Sequence, residues 1–325
     1  MSNRLRKNKR LTLQDIAEDL HISKTTVSRV LSGKGRIGQA TKELVMEYVR
    51  THDYHPNLMA KGLAEVKTWN IGVVLQGNAA MSDMPFFQNC LFGVASEVKA
   101  RNYDVLLAIN DDDGTDGLER ILRMQKIDAV ILTRVLENDK NVELLKESEM
   151  PFVAIGSYDD ETVVQVDAHI EEAGRIFTKQ IVENAGGAEN IIFLCGKQNI
   201  VVNKLRLRGF LGAMNDLGKS ERDYAVVSAL DGAADAKNAL AGFRGNLVIC
   251  ADDILCEGAI EWQKEENSIA KIVSFHNSLS LSKCRVSAIE IDAYELGKKA
   301  ADILLSRLEG KETAVRNYVD YHFLF

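Results

Sequence analysis

Apolar residues recur at helical spacing through the first fifty residues of the chain, and this pattern predicts three short helices. Thr12 and Asp15 have the spacing of a capping box at the start of the first helix. The apolar face that follows comprises Ile16, Ala17 and Leu20. A third helix, from about 41 to 51, supplies four more residues to a small core: Leu44, Val45, Tyr48 and Val49.

The second helix begins after Ser23, which can cap it, and it directs Val27, Val30 and Leu31 toward the core. Only residues 20–22 separate it from the first helix. Two helices joined by so short a turn must cross steeply. This is the helix-turn-helix arrangement, whose second helix can enter the major groove of DNA.

The second helix also has a polar face, formed by Lys24, Thr25, Thr26, Ser28 and Arg29. Arg29 can make a bidentate contact to guanine, Lys24 can reach a base edge or a phosphate, and threonine methyl groups suit thymine. The alternative is a helix face that meets only solvent.

Residues 54–64 read Y-H-P-N followed by a short apolar helix pattern that Gly62 weakens. A helix this short is marginal in water, so we expect it to form only when docked. On DNA it could present Leu63 as an apolar wedge in the minor groove. The alternative is a plain interdomain linker.

After Thr68, short β-branched runs alternate with helical patterns, which predicts parallel sheets covered by helices. We divide the strands between two lobes near Val164, because nine are too many for one small sheet. A helix from Tyr294 to Leu308 should return to the first lobe, and Tyr318 to Phe325 should form a last strand. The nine runs are 70–75, 104–109, 129–133, 151–156, 190–195, 224–229, 246–251, 271–276 and 286–291.

Ligands of open parallel sheets bind beyond the carboxyl ends of the strands, and polar residues follow many of the predicted strands. Phe86 and Phe87, after the first strand, could stack on the face of a sugar or a base, although core packing is the usual role of such a pair. The polar residues at strand ends are Asp111, Arg134, Ser157, Lys197, Asp252, His276 and Asn277.

The charge distribution separates the two parts of the chain. Residues 1–68 carry 13 Lys or Arg against 7 Asp or Glu, a net charge of +6, whereas the remainder of the 325 residues carries −13. A basic head on an acidic body indicates that only the head meets nucleic acid. No apolar run reaches the ~18 residues of a membrane span, and no apolar segment follows the basic start, so we expect a cytoplasmic protein.

The sequence offers few signs of a disulfide framework, a nucleotide site, a metal site or a catalytic centre. The five cysteines form no C-x-x-C pair, which favours buried thiols in a reducing compartment. G-K-G-R-I-G at 33–38 follows a helix instead of a strand and therefore does not predict a nucleotide site. We find no zinc-ligand spacing and no nucleophile with a partnered base, so we expect no cofactor and no metal.

From Thr12 to Leu63 the chain resembles the lactose-repressor/galactose-repressor family of bacterial transcription regulators. The resemblance rests on T-L-Q-D-I-A, S-K-T-T-V-S-R-V-L-S-G, Y-H-P-N and A-K-G-L. It implies base contacts by Lys24, Thr25 and Arg29 and intercalation by Leu63. Leu20-His21 replaces the common Ala-Gly of the turn, and we expect His21 to adopt a left-handed conformation. Further DNA contacts implied by the resemblance are Thr12, Thr26, Ser28, Tyr54, Asn57 and Ala60.

The resemblance extends over the body, implying a two-lobed fold like that of periplasmic binding proteins. Arg206 falls on the effector-contacting arginine of the family, and Asp252 and His276 fall where common members have Asn and Asp. N-K-L-R-L-R-G-F, D-D-I-L-C-E-G-A and S-F-H-N-S-L are most similar to the maltose-operon repressor subgroup. This implies a maltose-type effector. The predicted effector contacts are Phe86, Phe87, Ser157, Arg206, Asp252, His276 and Asn277.

The predicted organisation is an α/β chain with a helix-turn-helix domain (1–55), a hinge (56–68) and an effector-binding and dimerisation domain (69–325). Lobe one should comprise about 69–164 and 292–316, and lobe two 165–291 and 317–325. We expect a homodimeric repressor, not an enzyme, that binds a pseudo-palindromic operator and a small sugar. The alternative is an enzyme or a sugar-binding protein with an incidental basic head, for which Asp252 with His276 is the candidate reactive pair.

Overall fold

A computed structural model describes residues 11–33, 35–52, 54, 67–77, 84–111, 114–184, 190–276 and 286–325. The chain divides into two compact units, Met1–Lys67 and Thr68–Phe325. Within the ranges just given, no helix combines the length and the apolar content that crossing a membrane requires.

The first unit contains the three expected helices, α1 (Leu13–Asp19), α2 (Lys24–Ser32) and α3 (Gln39–Thr51). The Thr12 hydroxyl accepts a hydrogen bond from the Asp15 N–H, and the Asp15 carboxylate accepts one from the Thr12 N–H, which completes the predicted capping box. Ser23 caps α2 through the Thr26 N–H at 3.0 Å. Helix α3 begins two residues before the expected start.

The turn between α1 and α2 depends on His21, whose φ of 53° lies in the left-handed region. This confirms the conformation expected from the sequence. The Ile22 N–H then donates to the Ala17 carbonyl at 3.0 Å, which closes the end of α1.

The core of the first unit is small and apolar. The Tyr48 hydroxyl of α3 also donates a hydrogen bond to the Asp19 carboxylate of α1, and this bond raises the pKa of Tyr48 to about 12. Leu44 was expected in this core but is 49% exposed, because it lies on the outer side of α3. The buried residues are Ile16, Ala17, Val27, Val30, Val45 and Tyr54.

The second unit consists of two lobes, each built on a six-stranded sheet. In lobe one, every strand pair is parallel and the strand order is β11-β5-β4-β3-β1-β2. Its elements are β1 (Asn70–Gln76), α4 (Met84–Ala100), β2 (Asp104–Asn110), α5 (Asp116–Arg123), β3 (Ala129–Leu132), α6 (Lys140–Glu147), β4 (Phe152–Ile155), β5 (Gln165–Asp167), α11 (Ala293–Leu308) and β11 (Arg316–Tyr318).

Lobe two has the strand order β12-β10-β9-β8-β6-β7, in which only the β10–β12 pair is antiparallel. A single apolar core around Phe177, Phe193 and Phe210 fills this lobe. Its elements are α7 (Ile170–Asn184), β6 (Ile191–Leu194), α8 (Val201–Asp216), β7 (Tyr224–Val227), α9 (Ala233–Ala239), β8 (Leu247–Cys250), α10 (Asp253–Glu265), β9 (Lys271–Ser274), β10 (Ser287–Ile291) and β12 (Tyr321–Leu324).

All nine predicted strands are present, but two lobe boundaries differ from the prediction. Strand β5 belongs to the first sheet, because Gln165 and Val166 pair with β4, so lobe one extends to Asp167 instead of 164. The expected last strand is two strands. β11 ends at Tyr318 in the first sheet, and β12 continues in the second, so Asn317 and Tyr318 belong to lobe one.

The chain crosses between the lobes three times, after β5, after β10 and after β11. Two crossings lie side by side, since the Val319 N–H donates to the Asp167 carbonyl at 2.9 Å and the rings of His169 and Tyr318 stack 3.7 Å apart. Helix α11 returns to lobe one as expected. It packs directly on α4, because a Cβ on Gly93 would lie 2.0 Å from the Tyr294 carbonyl oxygen.

Candidate functional site

The outer face of α2 has the composition expected of a DNA-reading surface. Lys24, Thr25, Ser28 and Arg29 are exposed, whereas Val27 and Val30 on the opposite face are buried. These four side chains, which can donate hydrogen bonds or offer a methyl group to a base, therefore lie together on one exposed face of α2. The capped helices and their packed core hold that face in place.

Two residues of the predicted DNA-binding set are placed differently. The ring of Tyr54 packs into the core of the first unit and is 7% exposed, so it supports the fold there instead of presenting a contact surface. Thr26 is half-buried, and its hydroxyl shares a 2.8 Å hydrogen bond with the Ser23 hydroxyl, which directs it toward the cap of α2. Thr12 is exposed but engages its hydroxyl in the capping box. Asn57, Ala60 and Leu63 lie outside the described residues.

The start of the second unit is fixed by Asp128, which lies immediately before β3. One carboxylate oxygen accepts hydrogen bonds from the Thr68 N–H at 2.7 Å and from the Thr68 hydroxyl at 2.8 Å. The other oxygen accepts from the Trp69 N–H at 3.0 Å. Because Thr68 is the first residue of the second unit, this carboxylate fixes the start of lobe one.

Between the two lobes of the second unit lies a cavity of about 160 Å³, beyond the carboxyl ends of the strands as expected for parallel sheets. Lobe one contributes Phe86, Phe87, Thr133, Arg134, Val135, Ile155, Gly156 and Leu296. Lobe two contributes Ile170, Ile200, Val202, Asn203, Arg206, Asp252, His276 and Ile291. Asp167, at the end of β5 in lobe one, and Ala168, in the first crossing, complete the wall.

Arg206 and Asp252 form the charged part of the lobe-two wall. Arg206, on α8, is only 9% exposed, and its Nε has no hydrogen-bond partner among the described residues. Asp252 caps α10 by accepting from the Leu255 N–H at 2.9 Å. Burial raises the pKa of the Asp252 carboxyl, and the Arg206 guanidinium opposes that rise. A buried guanidinium nitrogen at a cavity wall favours a ligand that supplies an acceptor.

His276 follows β9 and is fixed in the cavity wall by its neighbours. Its N–H donates to the Ser274 hydroxyl at 3.2 Å, and its carbonyl accepts from the same hydroxyl at 2.7 Å. Its Nδ1 lies 3.5 Å from an Oδ1 of Asp253, a carboxylate that is 1% exposed. Because this carboxylate lies beside Nδ1, we expect any hydrogen bond from the ring to a ligand to involve Nε2.

The aromatic wall comes from the start of α4. Phe86 and Phe87 pack edge to face, with 5.6 Å between the ring centres. Both rings line the cavity, as predicted, although Phe86 also packs against the lobe-one core. The core-packing alternative is therefore true in part for Phe86.

The structure brings together most of the predicted effector contacts. Phe86, Phe87, Arg206, Asp252 and His276 line the cavity. Ser157 does not line it, but its hydroxyl donates to the Asp167 carboxylate, which does. Asn277 lies outside the described residues.

The predicted contact set omitted four polar residues of the cavity wall. Thr133 and Arg134 follow β3, and Arg134 was already recognisable as a strand-end residue. Asp167 ends the short strand β5, which the apolar pattern did not predict. Asn203 lies in the first turn of α8 and is 6% exposed. Only strand-end position could have identified the first three residues, whereas Asn203 opens the N-K-L-R-L-R-G-F motif but was not singled out as a contact.

The described cysteines behave as expected for buried thiols. Cys90, Cys195, Cys250 and Cys256 are all free and buried. Burial raises the pKa of Cys90 to about 12 and that of Cys195 to about 11, so neither is a nucleophile near neutral pH. Across the residues with assigned positions, no group of three or more His, Cys, Asp or Glu side chains could hold a metal ion.

Two family models match the chain, and together they span both of its units. Residues 12–57 match the bacterial regulatory proteins of the lacI family. Residues 68–320 match the periplasmic binding proteins and sugar binding domain of the LacI family. The second match covers more than half of the chain.

Known proteins with similar sequences are transcriptional regulators. The HTH-type transcriptional regulator MalR of Streptococcus pneumoniae is 25% identical over 305 residues, covering 91% of this chain and 92% of that protein. Catabolite control protein A of Staphylococcus aureus is 22% identical over 324 residues, covering 96% and 97%.

Solved structures show the same fold. A transcriptional regulator CelR–cellobiose complex superposes with a TM-score of 0.71 at 23% identity, covering 97% of this chain and 99% of that one. The lac repressor dimer bound to operator and the anti-inducer ONPF gives a TM-score of 0.79 at 19% identity, with 98% of each chain covered. The chain therefore belongs to the LacI family and is a DNA-binding transcriptional regulator with a helix-turn-helix head and a body like the periplasmic binding proteins.

Proposed function

We propose that this chain is a homodimeric repressor of a carbohydrate-utilisation operon, and that maltose or a maltooligosaccharide bound between the lobes controls it. The observation that carries the proposal is the cavity wall formed by Arg206, Asp252 and His276 opposite Phe86. The sequence motifs shared with the maltose-operon repressor subgroup supply the choice of sugar.

The chemistry of the cavity favours a neutral polyhydroxylated ligand. Guanidinium groups donate hydrogen bonds and carboxylates accept them, so Arg134 and Arg206 beside Asp167 and Asp252 suit hydroxyl groups, which do both. The cations and carboxylates are equal in number, which does not favour a phosphorylated ligand. Phe86 offers an apolar edge for the C–H face of a sugar ring.

The homodimer is supported by an apolar surface at the edge of lobe one. Strand β2 is the outermost strand of its sheet among the described residues, and Leu107 and Ile109 on it are 39% and 56% exposed. Exposed apolar edges promote association, and a second copy of the chain would cover this one. Two heads related by two-fold symmetry would then read two half-sites of a pseudo-palindrome.

A route from the cavity to the hinge is supported by strand β3. Its last residue is followed by Thr133 and Arg134 in the cavity wall, and its first residue is preceded by Asp128, which holds Thr68. A four-residue strand in the middle of a sheet is rigid, so a shift at one end moves the other. Effector binding would thus displace the point where the hinge enters lobe one.

The proposal is tested by thermal stabilisation of the full chain with maltose, maltotriose, cellobiose, phosphorylated sugars and purines. A ligand at 100 times its dissociation constant stabilises by about 2.7 kcal/mol. We expect a response to maltose or maltotriose that Arg206→Gln removes. Arg208→Gln is the matched control, since Arg208 is 59% exposed two residues further along α8. A response only to phosphorylated sugars or purines would contradict the carbohydrate assignment.

A further inference from the structure

The two lobes contact each other directly at the edge of the effector cavity, through residues 135–137 of lobe one and 199–204 of lobe two. We propose that this contact, the interlobe latch, holds the cleft closed and thereby sets the affinity for the effector. The inference rests on the proposed function for the identity of the ligand, whereas the latch rests only on contacts between residues of the two lobes.

Main-chain hydrogen bonds form the centre of the latch. The Glu137 N–H donates to the Asn199 carbonyl at 2.8 Å, and the Val201 N–H donates to the Val135 carbonyl at 3.3 Å. Between these two bonds, Leu136 and Ile200 form an antiparallel β-bridge. The lobes are thus joined by a short two-stranded pairing that belongs to neither six-stranded sheet.

Side chains extend the latch on both sides. The Lys204 ammonium lies 2.7 Å from the Glu137 carboxylate, in an ion pair whose partners are 44% and 52% exposed. Val201, on lobe two, packs against an apolar core of lobe one that includes Val135 and Leu132. Every one of these contacts joins residues of different lobes, so separating the lobes would break all of them.

Each half of the latch is held in shape by a buried polar residue of its own lobe. In lobe one, the Asp139 carboxylate is 1% exposed and accepts from the Leu136 N–H at 2.9 Å. In lobe two, the Asn203 amide donates to the Lys197 carbonyl at 3.1 Å. The two pairing segments are therefore ordered before the lobes meet, which reduces the entropy lost on closure.

The latch is coupled to the cavity because they share residues. Val135 and Ile200, whose backbones take part in the pairing, also line the cavity, as does Asn203. A ligand that contacts both walls binds the closed cleft, and its apparent affinity is reduced by the fraction of molecules that are open. Weakening the latch should therefore weaken effector binding without removing any group that touches the effector.

Val201→Pro deletes one interlobe hydrogen bond without disturbing the backbone of α8, and its effect is compared with that of Val201→Ala because both variants alter the side-chain packing. Val201 is the first residue of α8, a position where proline is favoured because no intrahelical partner for the N–H exists. The preceding residue, Ile200, has φ −83° and ψ 113°, the extended conformation that a residue before proline prefers. Val201→Ala keeps the N–H, removes the packing methyl groups and is the matched control.

Charge reversal tests the ion pair independently. Glu137→Lys and Lys204→Glu each place like charges in contact, and the double variant restores attraction with the signs exchanged. Lys237→Glu is the matched control, because Lys237 pairs with Glu265 at 2.5 Å entirely within lobe two. A surface ion pair has a small effect, so we expect each single reversal to open the cleft about two- to fivefold more often.

Two measurements on the full-length protein read out the latch. Without ligand, hydrogen exchange of the Glu137 amide should be about two- to tenfold faster in Val201→Pro and in Lys204→Glu. It should return to within about twofold of the native rate in the double reversal. The dissociation constant for maltose should rise in parallel, whereas Lys237→Glu should change neither quantity.

The outcomes separate the latch from the choice of sugar. Native exchange rates at Glu137 in both Val201→Pro and Lys204→Glu would overturn the latch, whatever the protein binds. A double reversal as fast as the singles would also overturn it. Faster exchange in a protein that ignores maltose would uphold the latch and reject the proposed effector.

Discussion

The ring of Phe86 meets the ring of His276 edge to face, with 5.3 Å between the ring centres and an interplanar angle of 77°. Phe86 belongs to lobe one and His276 to lobe two, so this pair joins the two walls of the cavity at their aromatic end. His276 is in turn held by Asp253. A change on either wall therefore alters both the shape of the cavity and the contact between the lobes.

Phe86→Ala should weaken effector binding strongly, because it removes an apolar sugar-facing surface and the aromatic contact to His276. An aromatic pair contributes about 0.5–1.5 kcal/mol beyond burial, so the loss from the pair alone is about two- to tenfold in the dissociation constant. Phe92→Ala is the control, since Phe92 is 54% exposed on the same helix. Calorimetric titration with maltose gives the dissociation constant of each variant. Equal dissociation constants for Phe86→Ala and Phe92→Ala would refute a role for Phe86.

Arg29→Ala should weaken binding at one base step of the operator by about 1–3 kcal/mol and leave binding to random DNA nearly unchanged. Arg50→Ala serves as the comparison, because Arg50 is exposed on α3 and paired with Glu47. Fluorescence anisotropy gives the affinity of each variant for the operator duplex and for a scrambled duplex. If Arg29→Ala weakened both duplexes equally, Arg29 would contact phosphate instead of a base.

Asp128→Ala should uncouple the effector from DNA. The variant loses the three hydrogen bonds that hold Thr68 and Trp69, so movement of β3 no longer reaches the hinge. We expect native maltose affinity together with a smaller effect of maltose on operator affinity. Asp104→Ala is the control, because Asp104 is an exposed residue at the start of β2 in the same sheet, and this variant should respond as the native protein does. An unchanged maltose effect in Asp128→Ala would exclude this route.

Acid should weaken the contact between α7 and α8. A hydrogen bond from Arg175 lowers the pKa of the Asp216 carboxyl to about 2, with Lys179 adding to the effect. A carboxyl whose folded-state pKa is below the unfolded value of ~3.9 stabilises the fold above pH ~4, and that contribution disappears as pH falls toward 2.

Asp216→Asn should therefore be less stable than the native protein at pH 7, and the difference in urea midpoint should shrink between pH 4 and pH 2. Arg175→Gln, which removes the cause of the shift, should show the same convergence. A difference that stays constant down to pH 2 would contradict the assignment of this ion pair.

Long apolar runs made the fold predictable. All nine predicted strands form. Most of them are runs of consecutive buried residues, whereas β2 and β7 are largely exposed or half-buried and are marked by their apolar side chains alone. Strands β5 and β11 escaped prediction, since each has three residues and includes polar side chains such as Gln165 and Arg316, and only their sheet neighbours make them strands. Because β5 was not predicted, the end of lobe one was placed at 164 instead of Asp167.

The cavity was predictable only in part. Arg134, Asp252 and His276 follow predicted strands, so the strand-end rule identified all three before the structure did. The position of Asn203 in the cavity wall and the contacts of the latch arise only from how closely the two lobes approach each other. Glu137 and Lys204 are far apart in sequence, and no local pattern marks a contact that tertiary structure alone creates.

The most direct test of carbohydrate control is the effect of maltose on DNA binding by the full-length protein. A duplex selected by the protein from random sequences serves as the operator, and dissociation constants are measured with and without saturating maltose. We predict that maltose weakens operator binding and that the operator weakens maltose binding by the same factor. An operator affinity that does not change in the presence of bound maltose would contradict control through this cavity.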